Sequence, residues 1–249
     1  MYKVIRNRLE QGCRTTPYPK KPVELNERYR GLPEINPDCD PAIIRQCAEL
    51  CPQEAILVEA RKIDLGRCTF CGLCAQVADG AFVRFSQRFE LGAARRDDLI
   101  TDGSLPDLAA HAKGHFKKLF GRSLQLRQVS AAGCNACEAD INVLGTPFFD
   151  LARFGIDFVA SPRHADGILV TGPISRNMRA ALLTTYEAVP EPKVVIANGC
   201  CAISGGPFYG SGEVADGGLD SILPVDLYIP GCPPHPMTAL HALLAFFKA

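Results

Sequence analysis

The spacing of the cysteines constrains this chain more than any other sequence feature. The chain contains 12 cysteines, three of them in a CxxCxxC run at Cys68, Cys71 and Cys74. The first ten residues are charged and lack the apolar core of a secretory signal, and no run approaches the roughly 18–20 apolar residues of a membrane helix. We therefore expect a reducing cytosolic environment, in which clustered cysteines bind metal and do not form disulfides.

Charge and composition narrow the function classes further. Lys plus Arg and Asp plus Glu both number 27, so the net charge is zero and gives no electrostatic reason to expect nucleic acid as a partner. Apolar residues make up 47% of the chain, which is enough for a packed core.

Changes in composition divide the chain into four segments. Residues 1–33 are rich in proline and charge and predict an extended strap. Residues 34–90 form a small cysteine-rich unit with short strand-like runs, and residues 91–121 form a connector with apolar residues at helical spacing. That helix would pack on a domain or, in the alternative, bind a partner. Residues 122–249 alternate short apolar runs with helical segments, which predicts a parallel α/β sheet.

The CxxCxxC run provides three of the four thiolates of a 4Fe–4S cluster. In bacterial ferredoxins the fourth ligand is a distant cysteine that precedes a proline, and here Cys51-Pro52 has that place. Residues 34–90 thus resemble the two-cluster bacterial ferredoxins. The resemblance implies a ferredoxin-like α+β domain with a 4Fe–4S cluster on Cys51, Cys68, Cys71 and Cys74. Structural zinc is the alternative, although zinc is more often bound by two CxxC-type pairs.

A second ferredoxin cluster is not expected in this domain. The position of its final cysteine is occupied by Ala78, and only Cys47 remains in its place in the other run, with Cys39 displaced by two residues. We therefore interpret Cys39 and Cys47 as vestigial, buried thiols and predict one cluster here.

A second cysteine set follows three of the predicted strands. Cys134 and Cys137 follow strand 124–129, the adjacent Cys200 and Cys201 follow strand 194–197, and Cys232 follows strand 225–229. Ligands of open parallel sheets bind beyond the carboxyl ends of the strands, so these loops can converge. Glycines beside the cysteines allow the backbone to approach a bulky group, and four thiolates complete an all-cysteine 4Fe–4S site.

Residues 121–249 also resemble the 20-kDa-subunit family shared by respiratory complex I and nickel–iron hydrogenases. The motifs are residues 133–138 (GCNACE), 161–166 (SPRHAD) and 223–234 (LPVDLYIPGCPP). The resemblance implies a flavodoxin-like domain and selects Cys201 over Cys200 as the ligand beside Cys134, Cys137 and Cys232. The complex I subunit has two adjacent cysteines at its first ligand position, whereas hydrogenase small subunits have CxxC, as here. That spacing implies an energy-converting hydrogenase of the formate hydrogenlyase type.

The cysteine-rich unit resembles the 23-kDa-type subunit of the same complexes, so the chain looks like a fusion of two subunits. The resemblance implies an electron-transfer oxidoreductase subunit with two 4Fe–4S clusters, peripheral on the cytoplasmic side of a membrane. Its partners would be a large subunit with the nickel–iron site, membrane-embedded subunits and other iron–sulfur carriers. Two alternatives are a complex I-like module without hydrogen chemistry and a zinc-stapled scaffold.

Glu138 is the candidate proton relay. It directly follows Cys137 and is predicted to begin a helix, where an acid is favoured for structural reasons alone. The resemblance makes it part of a proton path beside the cluster, in which case reduction of the cluster would raise its pKa.

Overall fold

The N-terminal half of the chain forms a small unit of short antiparallel strands. The computed structural model describes residues 2–106, 108, 123–215 and 217–248. The elements of this half are, in chain order, α1 (Tyr2–Gln11), β1 (Pro33–Ile35), α2 (Pro41–Glu49), β2 (Ile56–Leu57), β3 (Lys62–Asp64), α3 (Leu73–Val77), β4 (Val83–Phe85) and β5 (Ile100–Thr101). Strand β1 pairs with β4, and β3 pairs with both β2 and β5, all antiparallel. Two such ribbons with two short helices make the expected ferredoxin-like α+β unit.

The C-terminal half forms a five-stranded parallel sheet. Its elements are β6 (Leu124–Ser130), α4 (Ala136–Val143), β7 (Ile156–Phe158), β8 (Gly167–Thr171), α5 (Arg176–Ala188), β9 (Val194–Asn198), α6 (Cys200–Ser204), β10 (Leu227–Ile229) and α7 (Pro236–Lys248). The strand order is β10-β9-β8-β6-β7. This is the flavodoxin-like strand order. The sequence of strands across the sheet changes direction between β6 and β8, and ligands of such sheets bind at the carboxyl edge near that point. The predicted mixed α/β fold class is confirmed.

The N-terminal strap differs from its prediction in two ways. Its first third is helix α1, none of whose side chains is buried. The remainder is extended but packs on the chain's own parallel-sheet unit: the Thr16 amide donates to the Phe148 carbonyl at 2.8 Å, and Arg153 donates to the Thr16 carbonyl. Tyr18 and Tyr29 reach helix α7, with hydrogen bonds to His241 and Thr238. The strap thus packs on the chain's own second unit through the side chains of two tyrosines.

The two units share a core. Leu65 and Leu99 of the first unit pack in one apolar cluster with Ile203 and Leu219 of the second. Ala93 and Tyr228 exchange two backbone hydrogen bonds of 2.8 and 3.0 Å across the junction. This continuity fixes the relative position of the two cysteine-bearing regions.

Part of the predicted connector folds onto the first unit. A 3₁₀ turn at Arg96–Leu99 leads into β5, which extends the sheet of β2 and β3. Arg96 makes a two-pronged ion pair with Asp64, with N–O distances of 2.8 and 2.6 Å. Most of the predicted connector helix lies outside the described residues, which omit 107 and 109–122.

Candidate metal centres

The first predicted site lies on the loops between α2 and α3. Cys51 follows α2, Cys68 and Cys71 lie on the loop before α3, and Cys74 is within α3. The Ala55 amide donates to the Cys51 sulfur at 3.4 Å, and the Phe70 amide donates to the Cys68 sulfur at 3.3 Å. Backbone amides aimed at cysteine sulfurs are the environment that stabilises a metal-bound thiolate.

The four cysteines of the first site line one cavity with mostly apolar neighbours. The other lining residues are Pro52, Gln53, Ala55, Ile56, Ile63, Thr69, Gly72, Leu73 and Phe85. Burial raises the pKa of Cys68 to about 12 and that of Cys74 to about 11. Because a thiolate is the metal-binding form, ionising these thiols needs a compensating cation, which an iron–sulfur cluster supplies. The donor set therefore fits a 4Fe–4S cluster.

The position of a second ferredoxin cluster is filled by the core. Cys39 and Cys47 are buried, and the Cys47 thiol donates to the Cys74 carbonyl at 3.5 Å. Ala78 and Phe82 pack into the same apolar cluster. This packing agrees with the interpretation of Cys39 and Cys47 as vestigial, and the count of one cluster in this unit stays a prediction.

The second predicted site lies at the carboxyl edge of the parallel sheet. Cys134 and Cys137 follow β6, Cys201 follows β9 and Cys232 follows β10, so the fold brings together the three loops that the sequence placed there. The approach is tight: a β-carbon on Gly199 would lie 2.7 Å from the Cys137 sulfur, and one on Gly206 would lie 2.8 Å from the Cys201 sulfur. Only glycine fits at these two positions, which also have positive φ angles of 94° and 53°.

Cys200 and Cys201 have different environments although they are adjacent. Cys200 is 1% exposed, whereas Cys201 is partly exposed. Interaction with the Cys201 and Cys232 sulfurs, together with burial, raises the pKa of the Cys200 thiol. The interaction with Cys200 lowers the pKa of Cys201, and that of Cys232 to about 7. The deep burial of Cys200 and the partial exposure of Cys201 agree with Cys201 as the ligand.

Glu138 is buried in the first turn of α4, behind Cys137. Burial raises the pKa of its carboxyl, but hydrogen bonds from the hydroxyls of Ser130 and Thr171 outweigh this effect and lower it overall. Both bonds end at Oε1 and are 2.6 Å long. Sequence reasoning missed these two donors because they come from different strands.

Within the ranges that the structure describes, no three His, Cys, Asp or Glu side chains are placed to bind one metal ion. The described part of the chain also has no helix long and apolar enough to cross a membrane.

Comparisons with known proteins give the relatives of the second unit. The model of the family described as NADH ubiquinone oxidoreductase, 20 Kd subunit, matches residues 134–246. A probable membrane-bound hydrogenase subunit, mbhJ, of Pyrococcus furiosus is 43% identical over 127 residues, which are 51% of this chain and 75% of that protein. Formate hydrogenlyase subunit 7 of Escherichia coli is 46% identical over 151 residues, 61% of this chain and 59% of that protein. An NADH-quinone oxidoreductase subunit of a Roseiflexus species is 45% identical over 117 residues, 47% of this chain and 43% of that protein.

Proposed function

This chain belongs to the NADH ubiquinone oxidoreductase 20-kDa subunit family and is an oxidoreductase subunit, and we propose that it relays electrons in a membrane-associated hydrogenase of the formate hydrogenlyase type. Two of its relatives are subunits of a membrane-bound hydrogenase and of formate hydrogenlyase. The CxxC spacing of Cys134 and Cys137 supports the hydrogenase branch of the family over the complex I branch.

Two sets of four cysteines would hold two 4Fe–4S clusters. Cys51, Cys68, Cys71 and Cys74 would hold one, and Cys134, Cys137, Cys201 and Cys232 the other. Bound there, the clusters would supply one-electron carriers between a large-subunit active site and further iron–sulfur carriers. The chain's own residues partly cover five of the eight cysteines, direct backbone amides at the Cys51 and Cys68 sulfurs, and hold the two sites together through a shared core.

The junction between the units is the observation that carries the proposal. The Ser204 hydroxyl donates to the Gly66 carbonyl at 3.0 Å. Ser204 lies three residues after Cys201, and Gly66 lies two residues before Cys68. The two cysteine sets are therefore linked by a short path of covalent bonds and one hydrogen bond, which supports electron transfer between them.

A fusion of two subunits would explain this arrangement. The family match begins at residue 134, inside the second unit. The first unit has the ferredoxin-like fold that its resemblance to a 23-kDa-type subunit implies. We propose that joining the two subunits fixes a contact that separate chains would form by association, and that a large subunit and membrane-embedded subunits bind around it on the cytoplasmic side.

Iron and sulfide analysis of the purified chain tests the number of clusters. Two four-iron clusters give about eight irons and eight sulfides per chain, with two distinct signals in electron paramagnetic resonance of the reduced protein. About twelve irons would show that Cys39 and Cys47 bind a third cluster. About four would show that one of the two sites is structural only.

A complex I-like module is the second candidate function. The observation in its favour is the 45% identity to a subunit of an NADH-quinone oxidoreductase. The two candidates differ in the large subunit, so the test is the metal content of the large subunit that co-purifies with this chain. Nickel in about one equivalent supports the hydrogenase, whereas a large subunit without nickel supports the alternative.

Glu138 is proposed as a proton relay beside the second cluster. Its buried carboxyl lies next to Cys137 and is held by two hydroxyl donors. Glu138→Gln keeps the shape and both acceptor contacts at one oxygen, so both cluster signals should remain while hydrogen turnover slows by about 10²-fold or more. Turnover at the parent rate would leave Glu138 with the structural role of an acid at a helix start.

A further inference from the structure

Polar side chains lie side by side at the carboxyl ends of three strands of the parallel sheet, beneath the second cysteine set. Ser130 and Thr171 are paired across β6 and β8, and Asn198 is the next position alongside Thr171, because its predecessor Ala197 pairs with Val170. Residues paired in neighbouring parallel strands point to the same face. In the row below on that face, Leu169 and Ile196 are apolar core residues, and Gln128 on β6 is a partly buried polar residue. Ser130, Thr171 and Asn198, which we call the polar row, therefore form one polar layer, in which Thr171 and Asn198 are buried.

Only part of the polar row is satisfied by the protein. Ser130 and Thr171 both donate to Oε1 of Glu138. Asn198 is 1% exposed, yet neither its side-chain oxygen nor its side-chain nitrogen bonds to any residue that the structure describes. Among the same residues, Oε2 of Glu138 also lacks a partner. Three buried polar atoms are thus left over at one end of the sheet.

These three polar atoms need hydrogen-bond partners. Leaving a buried polar atom without a hydrogen bond costs about 1–3 kcal/mol, and native proteins satisfy most such atoms with protein groups or ordered water. A buried water molecule makes about two to four hydrogen bonds. The two side-chain atoms of Asn198 and Oε2 of Glu138 offer one donor group and two acceptors, which match the two hydrogens and the oxygen of a water molecule.

We propose that the polar row holds an internal water molecule, bound between the Asn198 carboxamide and Oε2 of Glu138. Asn198 is then a positioning residue: through the water it fixes the second oxygen of the carboxylate, as Ser130 and Thr171 fix the first. The significance of this water beside Cys137 rests on the proposed function, but its presence does not, because it follows from the folded chain alone.

The direct test is a high-resolution crystal structure of the full chain with its clusters reconstituted. The expected result is an ordered water within hydrogen-bonding distance of Asn198 and of Oε2 of Glu138. Empty density at this position overturns the proposal, as does an Asn198 carboxamide that bonds directly to Glu138 or to a cluster sulfur.

Thermal unfolding of Asn198 variants gives a second test, in which the direction of the shift decides. If Asn198 binds water, Asn198→Leu expels it, leaves Oε2 of Glu138 without a partner and lowers Tm by several degrees, while Asn198→Thr keeps a hydroxyl for the water and loses less. If the row is dry, Asn198→Leu removes an unsatisfied amide and raises Tm, which refutes the proposal. Ile196→Leu, two residues earlier on the same face, controls for reshaping the core. Iron content measured on the same samples reports the clusters separately, so loss of a cluster is not mistaken for loss of the water.

Discussion

The two sets of four cysteines are brought together in different ways. The first site draws its four cysteines from one continuous stretch, Cys51 to Cys74, on short loops of a small unit. The second gathers cysteines from three strand ends between Cys134 and Cys232, and the sheet holds them together. The first site is therefore defined by local loop conformation, and the second by the order and register of the strands.

The surroundings of the two sites also differ, with local contacts at the first and contacts from distant segments at the second. Around the first site the neighbours are mainly apolar and the hydrogen bonds to sulfur come from backbone amides. Around the second, side chains from separate segments contribute: Cys200 is buried and interacts with two of the sulfurs, and Glu138 lies buried next to Cys137. Side chains from distant segments can therefore alter the pKa values of the cysteines in the second site, which a local loop does not allow. The geometry of the second site also depends more strongly on substitutions in the sheet.

The largest expected effect is loss of one cluster from a ligand substitution. Cys68→Ser should remove the first cluster signal and Cys201→Ser the second, each lowering iron content from about eight to about four per chain. Cys200→Ser is the matched control at the second site and should retain about eight irons. Retention by Cys201→Ser with loss by Cys200→Ser would reverse the ligand assignment.

Glycine substitutions test whether the second site is the more tightly built. Gly199→Ala places a β-carbon 2.7 Å from the Cys137 sulfur, while Gly72→Ala at the first site meets the flexible Arg30 side chain at 2.6 Å. Positive φ alone costs about 1–2 kcal/mol, and crowding adds about 1–3 kcal/mol at Gly199. We expect denaturant titration to show a loss of about 2–5 kcal/mol for Gly199→Ala.

Gly210→Ala separates these two contributions. Gly210 has φ of 75° and no atom within 4 Å of the added β-carbon, so it measures the backbone cost alone. Equal losses at Gly199 and Gly210 would show that the cysteine loops can relax, and would remove the contrast between the two sites.

The Arg96–Asp64 ion pair tests how far the two sites depend on each other through the shared core. The Asp64 side chain is only 9% exposed, so Arg96→Ala leaves a nearly buried carboxylate that keeps its bond from the Gly66 amide. We expect a loss of about 2 kcal/mol in denaturant titration, less than for a fully buried pair because Arg96 is 27% exposed. Arg6→Ala breaks the exposed pair with Glu10 and should change stability by less than about 0.5 kcal/mol. If both cluster signals are lost at the same denaturant concentration in Arg96→Ala, as in the parent chain, the apolar core alone couples the units.

The smallest expected effect is a pH dependence confined to the second unit. Burial lowers the pKa of His241 below its usual value, and its ring nitrogen lies 2.6 Å from the Tyr18 hydroxyl. The chain therefore binds fewer protons at His241 when the strap is docked than when it is undocked. Docking should be constant above about pH 6.5 and weaken by up to about 1 kcal/mol per unit as the pH falls below that value.

Hydrogen exchange of residues 15–31, corrected for the intrinsic effect of pH, measures this weakening. His241→Phe should reduce the pH dependence, and adding His235→Phe should abolish it, because His235 packs on Tyr29 of the strap and burial also lowers its pKa. Residues 34–101 contain no histidine and serve as the internal control. A pH effect of equal size in that region would assign the change to the whole fold and not to His241.

The sequence by itself determined the elements whose signals are local. CxxCxxC with Cys51-Pro52 indicated the first site, and the alternation of apolar runs with helical segments predicted the parallel sheet, whose strands the structure confirms to within about two residues at each end. The convergence of Cys134, Cys201 and Cys232 was also foreseeable, because the carboxyl ends of parallel strands share one edge. Both the cluster count and the ligand assignments remain predictions.

Only the tertiary structure decided the contacts between residues distant in the chain. Strap residues pack on α7 because Tyr18 and Tyr29 find partners at His241 and Thr238, and no local pattern encodes such a pairing. The donors to Glu138 come from different strands, so their effect on its pKa depends on sheet register. Sequence periodicity specifies which face of an element is buried, whereas the identity of the neighbour across the interface depends on how the elements pack, and for this reason the polar surroundings of the second site were visible only in the folded chain.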